Sequence, residues 1–165
     1  MASGDTLLLF TPLHNEPPSA NQATIDTRNQ HPVLDFDGSA PNEEAVFTGI
    51  MPRNYSGDVG VTVYHHYSMS SATTGDIDWD GAFERIGDQQ QDIDSDGFAS
   101  PQSTDNTNVP STSGLVDIVA IPFTDGAQID GILVGETFRY KATRDATNDT
   151  AAGDAELVTV EIKET

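Results

Sequence analysis

The chain has 165 residues, no cysteine, and 27 acidic against 7 basic side chains, for a formal charge of −20. That length fits one domain with a sizeable core, and the charge repels polyanions, so direct binding to nucleic acid or an anionic membrane without bridging cations is not expected. Without cysteine there are no disulfides and no thiolate metal sites. Hydrophobic residues make up 36% of the chain and fall in patterned runs, so it is expected to fold. The acidity then reads as solubility at high local concentration, complementarity to a basic partner, or adaptation to salt.

In chain order, MASGDTLLLF has no basic segment, and its apolar run is too short for a signal peptide or a membrane span. The protein is therefore expected to be made in a cytoplasm and to stay soluble. A strand is predicted over residues 6–11. In HNEPPSANQ, residues 14–22, the pair Pro17-Pro18 stiffens an extended arm. Residues 1–22 thus read as a strand and arm, and residues 23–165 as the body of the same single domain. Further strands are predicted over 23–28, 33–36 and 45–51. PRNYSGD reads as a turn that offers the ring of Tyr55 to solvent, a candidate glycan contact.

VGVTVYHHYSM, residues 59–69, places Val59, Val61, Val63, His65, Tyr67 and Met69 on one face of a strand and Tyr64 and His66 on the other. Adjacent His65 and His66 point to opposite faces and do not chelate together. IDWDGAFERI fits a strand with Ile77, Trp79 and Phe83 inward better than a helix, because Gly81 and its Asp-rich flank oppose helix formation. Residues 88–114 read as one long polar loop of functional or mobile character. Residues 115–121, apolar on both faces, are expected at the centre of a sheet. TFRYKATR and LVTVEIKE alternate again, the second with Val158, Val160 and Ile162 on one face, and DATNDTAAGDAE between them reads as a hairpin loop joining antiparallel neighbours.

Within the long loop, Asp92, Asp94, Asp96 and Gly97 of QDIDSDGFAS have the spacing that opens an EF-hand loop, but position 12 is Ser103 where a bidentate Glu is needed. The two readings are a structural calcium site on Asp92, Asp94 and Asp96, completed from elsewhere, and an acidic turn. His14 and His31 lie in loops without zinc-ligand spacing. No G-x-S-x-G elbow, P-loop or dinucleotide-binding pattern occurs, and carboxylate pairs carry no diagnostic weight in so acidic a chain. Enzymatic activity and a required cofactor are not expected.

About eight strands joined by Gly, Pro, Asn and Asp loops define an all-β fold, an antiparallel β-sandwich of jelly-roll type with a long polar loop. In GILVGETFRYKATRDATNDTAAGDAELVTVEIKE, a Gly-Glu turn enters the strand from Phe138 to Arg144. The Arg144-Asp145 step, a Thr/Asp/Gly-rich connection and a closing LxxVEI strand at Leu157 to Ile162 follow. With WDGAFERIGDQQQDIDSDGFA, these features resemble small jelly-roll structural proteins of tailed bacteriophages, over half to two thirds of the chain. The resemblance is greatest to capsid decoration (cement) proteins. It implies a non-enzymatic homotrimer on the outer capsid surface of the virion, bound to the major capsid protein. The alternative is a receptor- or carbohydrate-binding module at a phage tail tip.

Overall fold

Period-two alternation of apolar residues drives most of the strands, because each strand then has one face to bury. The computed structural model describes residues 4–39 and 41–165, so residues 1–3 of the predicted arm lie outside the described residues. Ten strands are described: β1 (Thr6–Phe10), β2 (Thr24–Arg28), β3 (His31–Phe36), β4 (Glu44–Ile50), β5 (Val61–Met69), β6 (Asp76–Ile86), β7 (Gln102–Asn108), β8 (Asp117–Phe123), β9 (Thr137–Arg144) and β10 (Ala155–Glu164). They form a six-stranded sheet, β2-β3-β10-β5-β8 with β1 also on β10, and a four-stranded sheet, β4-β9-β6-β7. All the strand pairings are antiparallel, and the two sheets face one another as the expected sandwich.

The core lies between the sheets around Trp79, which is fully buried. The rings of Phe36 and His65 stand edge-on to it at 5.0 Å, and Tyr67 at 5.6 Å. Such contacts add roughly 0.5–1.5 kcal/mol each beyond the area they bury. His65 is inward, as its place in the alternation predicts, and its Nε2 lies 2.8 Å from the Tyr140 hydroxyl. Burial, and then the neighbouring His66, pushes its pKa down to about 3. The imidazole is therefore a neutral core group that ties β5 of one sheet to β9 of the other.

Several expectations are corrected. The strand expected at 59–69 begins at Val61, because Gly60 has φ 84° and a Cβ there would lie 2.2 Å from the Phe123 carbonyl oxygen. Val59 is exposed as a result. The segment 115–121 is not central: β8 is the edge strand beside β5, and Leu115, Val116 and Ile118 are exposed. β10 carries a bulge between Leu157 and Thr159, so Val158 faces outward while Leu157, Val160 and Ile162 face the core.

β9 and β10 are not neighbours, since they lie in different sheets. Arg144 explains the crossing. Its side chain is completely buried, with Nε 2.6 Å from Asp149 and donor bonds from the guanidinium to the carbonyls of Phe36, Ala151 and Gly153 at 3.0, 2.9 and 2.7 Å. The connection 145–154 is folded around this one cation and delivered to the opposite sheet. The predicted long loop also contains a strand. β7 has no apolar alternation, and pairs with β6 through its backbone while Ser103 and Asn108 donate to Asp80 and Asp76.

The Pro-containing arm does not project. It lies along β4, with the Glu16 amide donating to Val46 O at 2.8 Å and the Val46 amide to Asn15 Oδ1 at 3.0 Å.

Candidate functional site

On the outer face of the four-stranded sheet, β9 presents Arg139, Lys141 and Thr143, because Phe138, Tyr140 and Ala142 of the same strand are buried inward. Each cation is held by a carboxylate on a flanking strand. Arg139 Nε is 2.9 Å from Glu84 on β6, and Lys141 Nζ is 2.8 Å from Glu44 on β4. Burial raises the Glu84 pKa, and the Arg139 charge acts against that rise.

Above these two cations lies the ring of Phe98, with the Arg139 guanidinium 4.9 Å and the Lys141 ammonium 5.0 Å from its centroid. The Ala99 amide fastens the segment to β6 by donating to Phe83 O at 2.8 Å. Phe98 is partly exposed.

Beside it is a recess of about 270 Å³ lined by Asp80, Ala82, Pro101 and Thr143 along with Glu44 and Lys141. The Asp80 pKa is raised by burial, while the hydroxyl of Ser103 counters the rise by donating to it. A partly exposed aromatic ring next to carboxylate, ammonium and hydroxyl groups combines an apolar plate with hydrogen-bonding partners of both kinds.

The residues singled out in the sequence are placed differently. Tyr55 is buried rather than solvent-facing: its hydroxyl donates to Asp125 at 3.4 Å and accepts from the Gly60 amide at 3.1 Å. Burial, then Asp125, pushes its pKa up to about 12. The left-handed turn at Gly60 folds the loop back over the ring, so Tyr55 is not available as a sugar platform. Trp79 and Tyr67 belong to the core. Tyr64 is partly exposed on the outer face of the other sheet, beneath the Lys163 ammonium at 4.8 Å.

Asp92, Asp94 and Asp96 are all exposed and do not converge on one point. Asp92 Oδ1 accepts from the Asp94 amide at 3.1 Å, and Asp92 O accepts from the Ser95 and Asp96 amides at 2.9 and 2.8 Å. The first carboxylate is thus turned onto its own backbone, as in an Asx turn. Among the described residues no group of three or more His, Asp or Glu side chains is arranged to hold a metal ion. In the structure the motif forms a hydrogen-bonded turn shortly before Phe98. The sequence reading missed Phe98, and the only signal was a lone aromatic residue in a long polar stretch.

No protein-family model matches the chain, and no curated protein matches it. Among solved structures, a family 35 carbohydrate binding module from an environmental isolate is similar at a TM-score of 0.51 with 10% identity, over 94% of this chain and 92% of that one. The xylan-binding module CBM15 is similar at a TM-score of 0.50 with 10% identity, over 96% of this chain and 97% of that one. What is shared is the β-sandwich. The likeness extends over nearly the whole of each chain, so it covers both sheets. The resemblance to phage sandwiches is met at the level of that fold, and the capsid-decoration expectation gains no support from these comparisons.

Proposed function

We propose that the protein is a non-catalytic glycan-binding module whose ligand stacks on the partly exposed ring of Phe98. The observation that carries this reading is the layered construction under that ring. Carboxylates on β4 and β6 hold two cations on β9, and the cations hold the aromatic plate, with hydroxyl and carboxylate groups in the adjoining recess.

A pyranose offers apolar C–H faces to an aromatic ring and hydroxyls around its rim, the complement of such a plate and recess. The full-length similarity of the fold to two carbohydrate-binding modules supports the reading, which favours the glycan-binding alternative over capsid decoration.

The test is isothermal titration of the protein with xylohexaose, cellohexaose and mannohexaose, for the wild type and Phe98→Ala. Binding by the wild type that weakens by about tenfold or more in Phe98→Ala, with an unchanged melting temperature, is the expected result. Equal affinity and equal stoichiometry in the two proteins would remove Phe98 from the site.

A further inference from the structure

A second built recess of about 390 Å³ lies on the outer face of the six-stranded sheet. Its floor is apolar. Val33 is buried yet stands apart from the core cluster between the sheets, Val158 is turned outward by the bulge in β10, and Val116 forms an exposed lip at the edge of β8. Its rim is polar, with Arg28 and His31 facing one another across the β2–β3 hairpin. The hairpin tip, Asn29 and Gln30, has φ values of 46° and 68°, the two successive left-handed residues of a tight turn, which fixes that pairing.

Arg28 is oriented from below. Nη1 donates to Met69 O at 3.0 Å and to the carboxylate of Glu156, which also accepts from Ser68 Oγ at 2.9 Å. From the side, Gly114 lies against the guanidinium: at φ 81° a Cβ there would come within 2.8 Å of Nη2. Glycine lets the backbone approach the cation and keeps the recess open.

We infer that this recess is a second glycan-binding site, independent of Phe98, and that it takes a neutral sugar. The inference rests on the glycan-binding reading above. The two sites lie on opposite outer faces of a sandwich whose sheets pack about 10 Å apart, so they do not form one cleft and each holds its own sugar chain. Neutrality follows from charge. Glu156 compensates the Arg28 cation, so the recess offers hydrogen-bond donors without a net positive charge, on a chain of formal charge −20 that repels polyanions. One molecule therefore bridges two neutral glycan strands, and on a polymer the two sites act together through their high effective concentration.

The experiment is titration of the full chain with xylohexaose, cellohexaose and mannohexaose, with polygalacturonate as the acidic probe. The variants are Phe98→Ala, Val116→Asp and the double variant, with His31→Ala as a second exposed change in the groove. Two sugars per wild-type chain, one in each single variant and none in the double variant support the inference, as does the absence of polygalacturonate binding. One sugar per wild-type chain, lost entirely in Phe98→Ala and unaffected by Val116→Asp and His31→Ala, overturns the second site and leaves the Phe98 reading standing. Polygalacturonate binding that Val116→Asp or His31→Ala abolishes overturns the neutral specificity alone. No binding of any neutral probe by the wild type overturns the Phe98 reading and the second site together.

Discussion

The two ends of β9 use the same chemistry for opposite purposes. At its C-terminal end Arg144 is completely buried, and its donors go to one carboxylate and three backbone carbonyls of its own molecule. Nothing of that cation is left for a ligand. A few residues earlier, Arg139 and Lys141 stand on the outer face, each paired once with a carboxylate and each with an aromatic ring above it. A cation enclosed on every side holds a crossover in place; a cation anchored on one side leaves the other to present a surface.

This contrast is sharpest in stability measurements. Arg144→Ala leaves Asp149 and three carbonyls without their donor in a buried setting, and is expected to cost about 3–5 kcal/mol in urea or guanidinium unfolding. Lys141→Ala, on a part-exposed pair, is expected to cost only about 0–1 kcal/mol. Similar losses from the two variants would break the comparison.

The buried interior also makes a pH prediction. Because the folded state holds the pKa of His65 down to about 3 against an ordinary value of 6.5, the unfolded chain binds this proton first. Stability is therefore lost as pH falls from about 6.5 toward about 3, at up to about 1.4 kcal/mol per pH unit from this group. Thermal melts across that window should show the slope, and His65→Gln should flatten it.

On the presenting side the effects belong to binding. Lys141→Ala removes one of the two cations beneath Phe98 and is expected to weaken sugar binding several-fold, by about 1 kcal/mol, with little change in the melting temperature. An affinity equal to that of the wild type would separate the ring from its support. The smallest effect concerns Asp35 on β3. Its pKa is pushed up to about 6 by burial first, then by Glu156, Asp26, Asp154 and Glu43. The folded state holds this proton more tightly than the unfolded state, so stability declines as pH rises from about 4 to about 6. Asp35→Asn should accordingly gain about 1 kcal/mol at pH 7 after allowance for solvent screening, and little at pH 4.

Much of this fold was legible because each strand advertises its own buried face. β5, β6 and β9 alternate as the residues dictate, and the inward positions of His65, Trp79 and Phe138 follow. β7 was not legible, since a strand of Gln, Ser, Thr, Asp and Asn held through its backbone leaves no apolar period. Val158 was misplaced because one bulge shifts every residue before it to the other face.

The candidate sites were less legible than the sheets. Tyr55 looked exposed in a polar turn, yet the backbone at Gly60 folds over it. Phe98 looked incidental beside the Asp-rich motif, yet its ring lies over Arg139 and Lys141, which come from a distant strand. In the second recess, Arg28, Ser68, Gly114 and Val158 are far apart in the chain and come together only when β2, β5, β8 and β10 are placed.

By itself the sequence determined the all-β class, the acidic surface that disfavours polyanions, and which side of most strands is apolar. These are local properties, written in composition and in a period of two. Only the tertiary structure decided which strands pair, that β9 and β10 belong to different sheets, and which outward residues meet to form a site. Pairing is a choice between distant segments that carry the same pattern. It was settled by contacts the pattern does not encode: one buried guanidinium, one left-handed glycine and one bulge.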